Sequence, residues 1–275
     1  MKKQKLLTFI ALAPAVLCVN GCSGKQQVTE LAERIFTVET YKSLDYDYAD
    51  KFWAKDNDNW EAGCSAITKM VGDHRIVGRI MDLNISNKCA YFVRTEVGKY
   101  NTIGLAYTFR DYSPDYKDVK KHGISKKFSK ILPFICDDVM NTEGLHVEVN
   151  MRHGERYPNG EDMFAVQSTN PEGSRRIHMF ELPHYIAENC KTVAEAKEYV
   201  NTLNIYSKNG YWNYCFLISD QQGKSSLLEF SDTGAADILG LPYTVINWID
   251  EEDISKVDWM YTGTYTDLHK YTLNG

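Results

Sequence analysis

The sequence predicts an α+β domain built in layers. Alternating apolar and polar residues mark strands from position 64 onward, two segments of helical periodicity follow, and a hairpin pattern comes after them. Strands, then helices, then strands again is the order expected when helices pack on an antiparallel sheet. A chain of 275 residues suits one large domain or two small ones, and 43% hydrophobic residues suffice to bury a full core. Eighteen tyrosines favour strand-rich structure.

The elements follow in chain order. "MKKQK" is a basic n-region and "LLTFIALAPAVLCV" a short apolar h-region, the pattern of a secretory signal too short for a spanning helix. It ends in "VNGC", which resembles a bacterial lipobox with Cys22 as the lipidated cysteine, so residues 1–22 are expected to be a lipoprotein signal. Residues 23–63 are expected to form a prosegment or tether. Its first part, 23–45, carries a helical pattern with Leu31, Ile35 and Val38 at helical spacing, whereas 46–62 is polar and aromatic and fits neither helix nor strand. The domain proper is expected over 64–275. There "CSAITKMV" and "HRIVGRIMDL" alternate and are joined by the turn "VGDH". "YNTIGLAYTF" and "LHVEVNMR" read as further strands, and "YCFLISD-QQGK-SSLLEF" as a hairpin. "HMFELPHYIAENC" is a helix with Pro183 near its start. "TVAEAKEYVNTL" is another, with Thr192 as cap and Glu195 completing a capping box.

Composition narrows the chemistry. A net charge of -6 gives no reason to expect nucleic acid as a partner. Five cysteines remain after Cys22, namely Cys64, Cys89, Cys136, Cys190 and Cys215. With no CxxC and no Cys/His cluster at metal-ligand spacing, no zinc site is expected. An odd count leaves at least one thiol free. Cys136 and Cys215 sit inside apolar runs and read as buried small hydrophobes. The seven histidines are scattered, and His146, on a strand, reads as structural. The run "KDVKKHGISKKFSK" reads as a solvated face or loop.

Cys64 is the residue that could either pack or react. On an alternating strand a cysteine is most simply core. Its company argues for more: Gly63 precedes it, Arg79 comes fifteen residues later, and Asp82 three further on. If the two strands pair through the turn near Gly72, the end of the second returns beside the start of the first. A nearby cation lowers a thiol's pKa and favours the reactive thiolate, and a carboxylate orients an amine or accepts its proton. Arg79 and Asp82 taken alone are also what a surface ion pair looks like.

With these residues in view, "GCSAI…VGRIMDL" resembles the N-terminal motif of the choloylglycine hydrolase and penicillin V acylase family, the linear amide C–N hydrolases. Acid ceramidase and N-acylethanolamine amidase are distant relatives. "DDVMNTEGLHVEVN" at 137–150, "NCKTVAEAKEYVNTLNI" at 189–205, "YCFLISDQQGKSSLLEF" and "YTVINW" at 243–248 resemble further family segments in the same order. The similarity covers about residues 60 to 250. It implies an N-terminal-nucleophile αββα sandwich: two antiparallel sheets packed together, helices outside.

The resemblance also implies a mechanism. The proenzyme would be cut at Gly63–Cys64, freeing an α-amino group of unperturbed pKa near roughly 8 to act as base beside its own thiol. Cys64 would attack an amide carbonyl and form a thioester that water hydrolyses. Arg79 and Asp82 match the pair that positions the nucleophile and its amine. Asn247 matches an oxyanion asparagine, and Asn150 is placed like another oxyanion or substrate-side residue. Asparagines at strand ends also serve ordinary turn chemistry. The substrate class is a conjugated bile salt, a penicillin V or another N-acyl amide. No cofactor is called for. The partners implied are that small molecule and, through lipid on Cys22, a membrane, with a homo-oligomer allowed. The location expected is that of an exported bacterial lipoprotein, periplasmic or cell-surface. One departure stands out: the family carries an arginine well after the asparagine, whereas this chain has none after Arg176 and ends 28 residues beyond Asn247. Lysine at Lys256 or Lys270 does not reproduce a guanidinium's geometry. The sequence is therefore expected to lack the terminal strands of the sandwich, and a weakly active or purely ligand-binding lipoprotein is the alternative reading.

Overall fold

The strands expected at 64–83 close on each other as expected, and they do so on top of a much larger sheet. The computed structural model describes residues 25–26, 28–55, 63–82, 88–108, 114–152, 169, 175–207, 213–236 and 242–250. The chain begins with short strands β1 (Lys25–Gln26), β2 (Thr29–Ala32) and β3 (Ile35–Thr37), then helix α1 (Tyr46–Trp53). Strands β4 (Gly63–Val71), β5 (His74–Asp82), β6 (Cys89–Thr95) and β7 (Thr102–Thr108) follow. Next come α2 (Tyr116–His122), β8 (Ile124–Ser125), α3 (Lys126–Ser129), a 3-10 turn at Leu132–Ile135, β9 (Cys136–Asn141) and β10 (His146–Arg152). Then β11 (Arg176–His178), a second 3-10 turn at Met179–Glu181, α4 (Leu182–Asn189), α5 (Val193–Val200), β12 (Asn204–Tyr206), β13 (Asn213–Ser219), β14 (Ser225–Ala236) and β15 (Pro242–Asp250). None of the described helices is long and apolar enough to cross a membrane.

Nine strands form one sheet in the order β15-β14-β13-β10-β9-β7-β6-β3-β2. Every neighbouring pair is antiparallel except β3 and β6. One face carries Val147, Val149, Phe216, Ile218, Leu228 and Phe230, all buried in the main core. Helix α4 lies over β7, β9 and β10 on that side, burying Leu182, Ile186 and Ala187. Helix α5 turns Val193, Ala196 and Val200 inward, and Thr192 caps its start as the sequence indicates, while Glu195 closes on the residue before the cap rather than on the cap itself. The Thr192 hydroxyl accepts from Glu195 N at 3.1 Å, while the Glu195 carboxylate accepts from Lys191 N at 2.9 Å.

The opposite face carries a smaller apolar cluster, Cys215, Leu217 and Leu227, against which Ala66 of the β4–β5 hairpin packs. The described molecule is thus helices, a large mixed sheet and a hairpin, in three layers. Among the described residues a two-stranded hairpin, rather than the second large antiparallel sheet expected, covers this face. Two further two-stranded pairings, β1–β8 and β11–β12, lie outside the large sheet.

Residues 23–45 correct the helical expectation. Leu31 is 58% exposed, while Phe36 and Val38 are buried, so the period that governs burial here is two. The chain turns at Glu33–Arg34 and pairs β2 with β3, and β3 with β6. The segment after it, expected to be irregular, holds α1. Asp45 caps it by accepting from Tyr48 N at 3.0 Å. Ala49 and Trp53, one helical turn apart, are buried. The Trp53 indole stacks on His178 at 4.2 Å between centroids. Arg175 ties the helix down further: it donates to Tyr46 O at 3.2 Å and to the Asp50 carboxylate at 2.5 Å. It also donates to the Tyr185 hydroxyl, and stands 3.8 Å from buried Glu181. Burial pushes the Glu181 carboxyl up to about 8, against the pull of Arg175. The signal segment 1–22, and with it Cys22, lies outside the described residues.

Candidate active site

The site is set by how the hairpin sits. Gly72 takes φ 61 in the tight turn, a conformation glycine adopts without strain, and Val71 pairs with His74. From there the register runs without a break: Ala66 opposite Arg79, Cys64 opposite Met81, Gly63 opposite Asp82. The second strand thus returns to the start of the first. The side chains of Cys64, Asp82 and Asn247 lie outside those described, and backbone register alone places these three positions.

Two arginines fasten the hairpin to the large sheet. Near its tip Arg75 donates to Asp220 O at 3.1 Å, to the Thr68 hydroxyl at 2.7 Å and to Lys224 O at 3.1 Å, gripping the β13–β14 turn. Toward its root Arg79 is more deeply engaged, with a side chain only 8% exposed. Its Nη1 donates to Asp137 O at 2.8 Å and reaches the Asp138 carboxylate at 3.0 Å, and its Nη2 donates to Val149 O. One guanidinium therefore spans β9 and β10, a task that suits its rigid fork of donors.

Around Arg79 the sheet face is polar although it is covered. On β10, His146, Glu148 and Asn150 alternate with core Val147 and Val149, and all three are buried. Glu148 stands directly opposite Asp138 of β9. The His146 Nε2 is 3.7 Å from Asp138 Oδ1. One ligand-type atom from each of Asp138, His146 and Glu148 lies within 4.8 Å of the others. Glu148 is fully buried, and neither of its oxygens has a hydrogen-bond partner; the same is true of Asp138 Oδ1 and Asn150 Oδ1. Burial holds the His146 imidazole down at about 4, with Arg79 adding to the effect and Asp138 opposing it. Burial likewise pushes the Glu148 carboxyl well above the usual range, Arg79 opposing and Asp138 adding. An imidazole of this kind is neutral at physiological pH, able to accept at one nitrogen.

The asparagines lie along one row of the sheet. Asn150 is opposite Cys215 on β13, and Asn247 is opposite Glu229 on β14. Asn150 and Asn247 are three strands apart, on the order of 14 Å at normal strand spacing. Arg79 is thus brought to Asn150's strand, while Asn247 stands further along the sheet. Sequence reasoning passed over Asp138 and Glu148 and took His146 as structural. The signal was present in "HVEVN", a strand whose polar members share a face with the period of two, preceded by the paired acids "DD" at 137–138.

No protein-family model matches the chain, and no curated protein matches it in sequence. Solved structures similar to it include an arginine-to-leucine variant of the conjugated bile acid hydrolase from Clostridium perfringens, at 20% identity and TM-score 0.31, covering 56% of this chain and 37% of that one. A cysteine-to-alanine mutant of the same hydrolase matches at 18% identity and TM-score 0.40, covering 67% and 50%. The penicillin V acylase from Agrobacterium tumefaciens matches at 17% identity and TM-score 0.30, covering 56% and 34%. This chain spans between a third and a half of the length of these proteins. They come from the same family, choloylglycine hydrolases and penicillin acylases, that the sequence motifs resemble.

Proposed function

We propose that the protein hydrolyses a linear amide, a conjugated bile salt, penicillin V or another N-acyl amide, with Cys64 as nucleophile. The observation that supports this most directly is the hairpin register. It sets the Gly63–Cys64 end of β4 opposite Met81–Asp82, two residue pairs from the Ala66–Arg79 pair that is fastened to β9 and β10. In this reading the Gly63–Cys64 bond is cut and the new α-amino group, of ordinary pKa near roughly 8, takes the thiol proton. The thiolate adds to the amide carbonyl, the amine leaves with that proton, and water hydrolyses the thioester to regenerate thiol and acid. Asp82 holds the amine, Arg79 fixes the strand that carries Asp82, Asn247 donates to the developing oxyanion, and Asn150, about 14 Å along the sheet, serves as a substrate-side residue. An oxyanion donor is worth about 3 kcal/mol of transition-state stabilisation. Lipid on Cys22 anchors the exported protein to a membrane.

Intact-mass analysis of the purified full chain, with an amide-hydrolysis panel, tests the reading. Wild type should give fragments split at Gly63–Cys64 and release amine from at least one substrate, while Cys64→Ala should stay uncut and inactive. An active Cys64→Ala protein, or a wild type that remains one uncut and inert chain, overturns it.

A further inference from the structure

We infer that Asp138, His146 and Glu148 form a binding site for a divalent transition-metal ion, zinc foremost, buried between the large sheet and the β4–β5 hairpin. The inference stands apart from the hydrolase reading and uses none of its residues as ligands.

The first argument is spacing. The His146 Nε2 to Asp138 Oδ1 distance of 3.7 Å is too long for a hydrogen bond. It is close to the separation of two ligand atoms that each stand roughly 2.0–2.2 Å from one tetrahedral ion. A Glu148 oxygen completes a triangle with sides no longer than 4.8 Å. Small side-chain rotations bring all three atoms to bonding range of a common centre.

The second argument is orphaned polarity. Glu148 is wholly buried, and both its oxygens are without a hydrogen-bond partner. A buried carboxyl left without partners is costly, and ionising it directly opposite the Asp138 carboxylate would cost more. An ion of charge two between them resolves both penalties together.

The third argument is division of labour on Asp138. Its Oδ2 is taken by Arg79 Nη1 at 3.0 Å, which leaves Oδ1, unpartnered, toward His146. Arg79 is itself committed to carbonyls on two strands. Outer-shell hydrogen bonds of this kind orient a ligating carboxylate. The donor set of one imidazole and two carboxylates suits zinc, and manganese after it, better than calcium or magnesium, which favour all-oxygen shells.

The test uses the full chain, stripped with EDTA and dialysed, then titrated with Zn²⁺ alone by calorimetry, with metal content read by mass spectrometry after gel filtration. One zinc per chain is expected. His146→Gln and Glu148→Gln should each weaken binding by at least roughly 100-fold. Both variants are checked by circular dichroism in EDTA, and Glu148→Gln, which removes only a charge, guards against misfolding as the cause. Cobalt loaded in place of zinc should give weak visible bands without thiolate charge-transfer absorption, which separates this site from cysteine ligation. Absence of saturable zinc binding in the micromolar range, equal binding by wild type and both variants, or a thiolate cobalt spectrum overturns the proposal.

Discussion

Replacing Arg79 with methionine should be among the most damaging single changes in the protein. The methionine fills much of the stem's volume, so the loss is chiefly polar. Three partners lose the guanidinium: the carbonyl of Asp137, the carbonyl of Val149 and the carboxylate of Asp138. Asp138, itself only 16% exposed, is then left opposite Glu148 with its cation gone. Breaking a buried pair from one side costs about 3–5 kcal/mol, because the surviving charge stays buried and uncompensated. With a urea dependence of roughly 2–3 kcal/mol per molar, the unfolding midpoint should fall by roughly 1.5 M. Urea titration in EDTA, followed by circular dichroism, measures it free of any metal contribution. Adding Asp138→Asn to Arg79→Met should recover about 1–3 kcal/mol, since the orphaned charge is then removed. Arg79→Lys should fall between, keeping the charge but not the fork. A loss under about 1 kcal/mol for Arg79→Met, or strict additivity with Asp138→Asn, would refute the assignment of a buried bridging guanidinium.

Other expectations are as direct. Trp53→Ala should cost about 3–5 kcal/mol in the same titration, because a buried indole stacked on His178 leaves a large void; a change below about 1 kcal/mol would show that α1 is not seated as described. Glu181 is held protonated by burial, with its pKa up at about 8 against 4.5. The stability this proton brings is full below the unfolded value and is lost as pH rises through about 8, at about 1.4 kcal/mol per unit. Thermal melts between about pH 5 and pH 9 should therefore show Glu181→Gln gaining on wild type by on the order of 4 kcal/mol, and parallel curves would contradict it. Limiting iodoacetamide should label Cys64 before the other domain cysteines. Those four are buried, and burial pushes Cys89 up to about 11, Cys190 up to about 12 and Cys136 well above its usual range. Peptide mapping that finds any of the four labelled first would remove Cys64 from its role.

What could be read from the sequence follows the range of the interactions involved. The β4–β5 hairpin was legible because one glycine turn and two alternating strands decide it locally. The α5 start was legible because Thr192 and Glu195 are three residues apart: the Thr192 hydroxyl accepts from Glu195 N, and the Glu195 carboxylate accepts from Lys191 N, one residue before the cap. Residues 23–45 were misread because Leu31, Ile35 and Val38 fit a helix by accident of spacing. Pairing with β6, more than fifty residues away, decided that Phe36 and Val38 would face inward. The assignment of Cys64 as nucleophile rests on resemblance to a family, and its side chain lies outside those described. The Asp138–His146–Glu148 group was not, because its members come from two strands whose pairing places Glu148 against Asp138. Nothing short of the sheet register brings them together.

The parallel pairing of β3 with β6 fixes an order of events. The chain leaves β3, passes through α1 and the β4–β5 hairpin, and returns to the same sheet at β6, so the Gly63–Cys64 bond lies on that crossover. While the bond is intact, β3 meets β6 within one molecule, at the high effective concentration a connecting chain confers. A cut there would leave the native arrangement standing but turn its reassembly into an encounter between two chains. Denatured material would then refold only in proportion to its concentration, whereas the uncut precursor would refold when dilute. Maturation would have to follow folding and never precede it. From that point the protein's lifetime would be governed by how slowly β3 and α1 let go, rather than by an equilibrium it could re-enter.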